Sequence, residues 1–102
     1  MCQLLGMNAN TPTDVMFSFA GLAHRAQEHK DGFGIGFFEG CGLRHFIDHH
    51  GARTSPVAEL VKSYPIKSQN VIAHIRKATQ GRVALENTHP FVRELWGRYW
   101  MF

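Results

Sequence analysis

Long apolar runs and a cysteine framework are both missing from this sequence. No stretch is apolar over the length that a bilayer-spanning helix needs. The first residues lack the basic start and apolar core of a secretory signal, and two cysteines, Cys2 and Cys41, are too few for a disulfide-stapled domain. These absences exclude helical membrane proteins and disulfide-rich secreted domains, so we expect a reduced, cytoplasmic protein.

Basic clusters and metal-binding motifs are missing as well. Lysine and arginine outnumber aspartate and glutamate by 11 to 8, which gives a net charge of +3, but they are scattered along the chain. A small nucleic-acid-binding module, the alternative that this charge suggests, would need a clustered basic face. Seven histidines are present, yet no pair has HExxH spacing and no CxxC occurs. We therefore expect no nucleic-acid partner, no metal ion and no cofactor.

The residues that are present predict one domain of mixed secondary structure. A hydrophobic fraction of 44% is typical of a globular protein, and 102 residues can bury one modest core. Apolar spacing and turn residues predict the following elements in order: a strand Cys2–Met7, a turn at 8–10, a helix capped by Thr11 and running to about Gln27, a strand Gly34–Glu39, a turn at 40–42, a strand Leu43–Asp48, a helix opened by Ser55-Pro56 and ended by Pro65, a strand Asn70–Ile75, a loop Thr79–Pro90 and a strand Arg98–Phe102.

Cys2 is the first candidate for chemistry. Removal of Met1 would expose it as the first residue, with a thiol and a free α-amine on one residue. An unperturbed α-amine has a pKa near ~8 and a thiol near ~8.5, so the amine can accept the thiol proton near neutral pH. That pairing is the arrangement of an N-terminal nucleophile. The alternative is a small apolar residue buried in an early strand.

Arg76 and Thr79 form a second candidate, at the end of a predicted strand and the start of a polar loop. The guanidinium of Arg76 could hold a carboxylate through two parallel hydrogen bonds. The alternative is a surface arginine in a weak salt bridge. Thr79 could donate to the same ligand or satisfy the loop backbone.

Four motifs occur in a single order along the chain. They are Met1-Cys2-Gln3-Leu4-Leu5-Gly6-Met7, Lys30-Asp31-Gly32-Phe33-Gly34-Ile35-Gly36-Phe37, the run from His74 to Thr79, and Glu86-Asn87-Thr88-His89-Pro90-Phe91. Together they resemble the class II glutamine amidotransferases, and within them the YafJ-like branch. The resemblance extends over essentially all 102 residues.

The resemblance implies an α+β fold of the N-terminal-nucleophile hydrolase type, an αββα sandwich of two antiparallel sheets between helical layers. It implies that Cys2 hydrolyses L-glutamine, or a γ-glutamyl compound, to release ammonia through a thioester, with its own α-amine as the base. Arg76 matches the arginine that holds the glutamine α-carboxylate, and Thr79 matches a threonine of the same pocket. His89, together with His74 and Asp31, is expected beside the site in a supporting position.

The resemblance also implies an expectation for the last strand of the sequence, residues 99–102. In the family, the strand that matches 99–102 runs into an Asn-Gly pair that supplies the oxyanion hole, and an acid further on holds the substrate amine. We therefore expect residues 1–102 to form a truncated first half of the domain, with impaired activity. An unpaired sheet edge would then favour association. The alternative is a non-catalytic remnant that binds a glutamine-like ligand or a partner chain.

Overall fold

The computed structural model describes residues 3–15, 21, 31–50, 55–63, 66–77 and 82–102. Within these ranges the chain forms strands, one short 3₁₀ turn and a helix, in this order: β1 (Gln3–Asp14), β2 (Phe33–Glu39), β3 (Gly42–Asp48), α1 (Pro56–Ser63), β4 (Lys67–Ile75), the 3₁₀ turn Leu85–Asn87, β5 (Val92–Leu95) and β6 (Arg98–Met101).

Strand β4 lies at the centre of the larger sheet. In the described part of the chain, four antiparallel strands pair in the order β1-β4-β2-β3. Ala73 of β4 lies between Leu5 of β1 and Ile35 of β2, and Ile35 pairs in turn with Phe46 of β3. The register of β4 therefore decides which residues of three strands share a face.

One face of this sheet carries the core. Successive side chains of a strand point to opposite faces, and Val71, Ala73 and Ile75 alternate as buried residues along β4. They pack in one cluster with Ala58 and Val61 of α1. The other members of this buried cluster are Val15, Phe33, Ile35, Phe37 and Ile66. Helix α1 thus covers one face of the sheet, and the opposite face is left for other groups.

The end of β3 holds the start of α1 through side chains. Ser55 precedes the helix, and its Oγ accepts hydrogen bonds from the backbone N–H groups of Val57 at 3.1 Å and Ala58 at 3.2 Å. The same hydroxyl donates to Oδ2 of the buried Asp48. Burial acts to raise the pKa of Asp48, but the hydrogen bonds from Ser55 and His50 outweigh it and lower that pKa to about 2.

A second, smaller sheet consists of the β5–β6 hairpin. Its strands pair from Val92↔Met101 to Leu95↔Arg98, and Trp96 and Gly97 form the turn with φ of 54° and 78°. Two consecutive positive φ values are typical of a type I′ turn, whose twist matches that of the flanking strands. The sequence predicts β6 correctly, but it does not predict β5.

The predicted start of the first helix is wrong. Thr11, expected as its N-cap, lies inside β1, as do the predicted turn residues 8–10. Pairing continues past an irregularity, from Asn8↔Asn70 to Thr13↔Ser68. Ladder hydrogen bonds to β4 therefore override the local capping signals. Residues 12–14 also belong to β1, and Val15 is not helical. Of the remaining residues of the predicted helix, only Gly21 is described, and it is helical.

The other sequence predictions agree with the structure more closely. The hairpin of β2 and β3, the helix after Ser55-Pro56, and a strand ending at Ile75 are all confirmed. The result is a mixed, sheet-rich chain, whereas the packing of two sheets between helical layers stays a prediction. Of the helices that the structure describes, none is long and apolar enough to span a membrane.

Replacing Ser55 with Ala should destabilise the protein by about 1–2 kcal/mol, because α1 loses its N-cap and Asp48 loses a buried donor. Urea unfolding followed by circular dichroism measures the change. Ser63→Ala is the matched control: this exposed serine lies at the other end of α1, and among the described residues it donates locally, to the Leu60 carbonyl at 2.9 Å. Equal effects of the two substitutions would contradict the capping role.

Candidate active site

The second face of the large sheet carries the polar candidates. Ile72 and His74 point away from the core residues of β4, and their register partners on β2 are Gly36 and Gly34. Two glycines there let other chain segments approach closely. A Cβ at Gly34 would collide with the His89 carbonyl oxygen, and one at Gly36 would lie 2.7 Å from the Met101 sulfur. The backbone around His89 therefore rests directly on the sheet.

Arg76 lies immediately after β4 and is buried, with 6% of its surface exposed. Its backbone N–H donates to the Gly32 carbonyl at 2.8 Å, and its carbonyl accepts from the Asp31 N–H at 3.3 Å. Its Nη1 donates to the Arg82 carbonyl at 2.9 Å. The guanidinium is thus fixed by the following loop, and the alternative of an exposed surface arginine is wrong.

The Arg82 carbonyl connects Arg76 to the Asn87–Pro90 motif. It also accepts a hydrogen bond from Nδ2 of Asn87 at 3.0 Å. Thr88, the next residue, is 1% exposed and donates from Oγ1 to the Ala84 carbonyl at 3.0 Å. Sequence reasoning singled out the motif but missed Arg82, because a backbone acceptor has no signature in the side-chain sequence.

His74 and His89 meet edge to face. Their ring centroids are 5.0 Å apart with an interplanar angle of 61°. His89 also packs against Phe91 at 4.2 Å, and Phe91 contacts Phe102 at 6.3 Å. Edge-to-face and tilted ring contacts of this kind are favourable packing arrangements. The rings link the end of the sheet to the β5–β6 hairpin.

His74 is held in its neutral form. Its Nδ1 is buried and has no hydrogen-bond partner among the described residues. Burial lowers the pKa of His74 from its ordinary value of 6.5, and the electrostatic influence of the neighbouring His89 and Arg76 lowers it further. A neutral imidazole therefore lies beside the Arg76 guanidinium near pH 7.

The structure brings four of the six predicted site residues into one region. Arg76 and Asp31 share a backbone hydrogen bond, while His74 and His89 share a ring contact. Cys2 and Thr79 lie outside the described residues. Cys2 directly precedes Gln3, whose register partner is Ile75, and Ile75 directly precedes Arg76.

A separate open groove lies between the sheet and the β5–β6 hairpin. It has a volume of about 650 Å³ and is lined by Asn8, Phe38, Ile72, Trp100 and Met101, among others. Among the predicted site residues that the structure describes, none lines this groove. A third feature, the cluster of Asp48, His49 and His50, brings three metal-ligating groups within 4.8 Å of one another in the described part of the chain.

Comparison with known proteins identifies the family to which this arrangement belongs. The family description "Glutamine amidotransferases class-II" matches residues 1–102. The chain therefore belongs to the class II glutamine amidotransferases, as the four motifs predicted.

Curated relatives from two bacteria match the whole chain. A putative glutamine amidotransferase of Haemophilus influenzae is 64% identical over 105 residues, covering 100% of this chain and 36% of that protein. The putative glutamine amidotransferase YafJ of Escherichia coli is 60% identical, with coverage of 100% and 41%. The chain thus spans about two fifths of the length of these relatives.

A solved structure extends the comparison. The crystal structure of a predicted glutamine amidotransferase from Pseudomonas aeruginosa matches with a TM-score of 0.60 and 44% sequence identity, covering 98% of this chain and 41% of that chain. At this identity the likeness is one of sequence as well as of fold.

Replacing Gly34 with Ala should destabilise the protein by about 1–3 kcal/mol, because the added methyl group collides with the His89 backbone. Gly6→Ala is the matched control, since Gly6 is also a strand glycine but a Cβ there has nothing within 4 Å. Chemical unfolding of both variants gives the comparison. A Gly34→Ala protein as stable as Gly6→Ala would show that the His89 segment does not rest on β2.

Stability should fall as the pH drops from about 7 to 5. The folded-state pKa of His74 lies below its ordinary value of 6.5, so the unfolded chain takes up this proton first and is favoured by acid. His74→Gln should therefore flatten the pH dependence of the unfolding free energy, leaving the part due to His45, whose pKa burial also lowers. At pH 8 the imidazoles of His74 and His45 are both neutral. The unfolding free energy at that pH is therefore the reference value for each variant. An unchanged slope in His74→Gln would contradict this assignment.

Proposed function

We propose that this chain carries the glutamine-hydrolysing site of its family. The α-amine of Cys2 takes the thiol proton, and the sulfur attacks the side-chain carboxamide carbon of glutamine. The C–N bond then breaks, and the α-ammonium group returns the proton to the nitrogen, which leaves as ammonia. Water then attacks the resulting thioester, releasing glutamate and returning the thiol. The observation that carries the proposal is the pairing Gln3↔Ile75, because it joins the strand that follows Cys2 to the strand that precedes Arg76.

Arg76 is proposed to bind the α-carboxylate of the substrate. A guanidinium presents a planar fork of N–H donors that matches a carboxylate. The bond from Nη1 to the Arg82 carbonyl at 2.9 Å fixes the plane of the group in advance. Binding would therefore cost less side-chain ordering than it would for an exposed arginine. Thr79 is proposed to line the same pocket.

His74 and His89 are proposed to support the site without touching the reacting atoms. A neutral, half-buried His74 leaves the Arg76 guanidinium as the group that carries the positive charge for the carboxylate. His89 fixes one side of His74 by its ring contact. Asp31 is proposed to position Arg76 through the backbone hydrogen bond at 3.3 Å.

The fold proposed for the complete domain is the αββα sandwich of N-terminal-nucleophile hydrolases, of which residues 1–102 form part. Support comes from the antiparallel sheet with α1 on one face and the β5–β6 hairpin against the other. The proposed substrate is L-glutamine or a γ-glutamyl compound, and the proposed compartment is the cytoplasm. An unpaired sheet edge would favour association with another chain.

Labelling with the glutamine-like electrophile diazo-oxo-norleucine tests this function. Intact mass should show loss of Met1 and one adduct on Cys2, and excess glutamine should prevent the adduct. Cys2→Ala should abolish labelling. Cys41→Ser, which removes the exposed free cysteine, should leave it unchanged. Retention of Met1, or equal labelling of Cys2 and Cys41, would overturn the proposal in favour of a non-catalytic remnant.

Arg76→Gln tests the carboxylate contact separately. Loss of a charge-assisted hydrogen bond commonly weakens binding by about 1.5–3 kcal/mol, so protection by glutamine should need at least about tenfold more ligand. Glutaramate, which has the carboxamide and one carboxylate but no amine, provides a second ligand for comparison. Protection at wild-type glutamine concentrations would exclude Arg76 from substrate binding, even if Cys2 still reacts.

A further inference from the structure

Three metal-ligating side chains meet where β3 ends. Asp48 is the last residue of β3, and His49 and His50 follow it directly. Asp48 is buried, with 7% of its surface exposed. The two imidazoles are open to solvent, with side-chain exposures of 43% for His49 and 62% for His50. The cluster therefore has a fixed carboxylate at its base and a path for an ion from solvent.

The carboxylate of Asp48 is oriented before any ion binds. Its Oδ2 accepts from the Ser55 hydroxyl, which is itself held at the start of α1. Its Oδ1 accepts from the backbone N–H of His50 at 3.0 Å. These partners turn Oδ1 toward the two histidines. An outer partner that orients a ligating carboxylate is a regular feature of metal sites.

The spacing of the three atoms suits a shared ion. Oδ1 of Asp48 lies 2.9 Å from Nδ1 of His50 and 3.7 Å from Nδ1 of His49. The two imidazole rings are 4.2 Å apart. Two ligands at about 2.0–2.1 Å from a tetrahedral Zn²⁺ lie roughly 3.3–3.4 Å from each other. The two observed oxygen–nitrogen distances fall on either side of that value. Small rotations of the imidazole rings would therefore bring both distances to the value that a shared ion requires.

We propose that Asp48, His49 and His50 form a surface binding site for Zn²⁺ or a similar divalent transition metal. Oδ1 and the two Nδ1 atoms are the ligands, and water completes the coordination. Imidazole nitrogen with one carboxylate favours Zn²⁺, Cu²⁺ or Ni²⁺, whereas Ca²⁺ and Mg²⁺ prefer oxygen ligands throughout. The site is separate from Cys2 and Arg76 in sequence and does not depend on the proposed glutaminase activity.

A second carboxylate, which is paired with an arginine, lies near the cluster. Glu86 lies within electrostatic range of His49 and is paired with Arg82 at 2.7 Å. It places a negative group near the cluster from a different segment of the chain. Sequence motifs give no hint of the site, because Asp-His-His has none of the spacings of a helical or CxxC-type motif. The turn after β3 creates the arrangement.

Zinc titration against a chromophoric chelator tests the site. The protein should bind one equivalent of Zn²⁺, and the double variant His49→Gln/His50→Gln should bind at least about tenfold more weakly. The variant His24→Gln/His29→Gln removes the same number of histidines elsewhere in the sequence and should leave the affinity unchanged. Asp48→Asn is avoided as the main variant, because Asp48 also holds Ser55 at the start of α1.

Nuclear magnetic resonance gives a readout that does not depend on affinity alone. On addition of one equivalent of Zn²⁺, the imidazole Hε1 signals of His49 and His50 should shift, while that of His45 should not. Equal loss of affinity in the two double variants would overturn the proposal, since it would indicate diffuse binding by surface histidines. So would unshifted His49 and His50 signals, or the absence of binding at about 100 μM Zn²⁺.

Discussion

The pairing of β4 with β1 on one side and β2 on the other is the constraint on which the rest of this structure depends. Side chains alternate along a strand, so one choice of register assigns every residue of β4 to a face. Val71, Ala73 and Ile75 enter the core beneath α1. Ile72 and His74 face the hairpin side, and Arg76 follows at the end of the strand. A slip of one residue would exchange the core with the candidate site.

The elements that sequence predicts well are those specified locally. The β2–β3 hairpin has Gly40 in its turn with a φ of 62°, and α1 begins at a serine whose hydroxyl caps it. The Thr11-Pro12 signal is just as local, yet it lies within a strand. The next two residues, Thr13 and Asp14, pair with Ser68 and Lys67, more than fifty residues away. That distant pairing decides the local conformation, and no neighbouring residue in the sequence indicates it.

The candidate site likewise has features that the sequence predicts and features that only the structure shows. Residue chemistry marked Arg76, because a guanidinium at the end of a predicted strand is easily found in a sequence, whereas His74 and His89 were marked through the family resemblance. Their environment was not predictable. The Arg76 guanidinium bonds to the backbone carbonyl of Arg82, and the pKa of His74 is lowered chiefly by burial and further by His89 and Arg76 beside it. These surroundings depend on how the loops fold. The family resemblance supplied only the roles expected for the residues, not their burial or their partners.

The acceptor that links Arg76 and Asn87 is the backbone carbonyl of Arg82, and this has an evolutionary consequence. A carbonyl is supplied by every amino acid, so the contact places no demand on which side chain occupies position 82. It does demand that the carbonyl keep its position relative to Asn87, five residues further along the chain. Substitution at position 82 is therefore compatible with the contact over long divergence, whereas an insertion or deletion between Arg82 and Asn87 would alter the spacing on which the Asn87 bond depends.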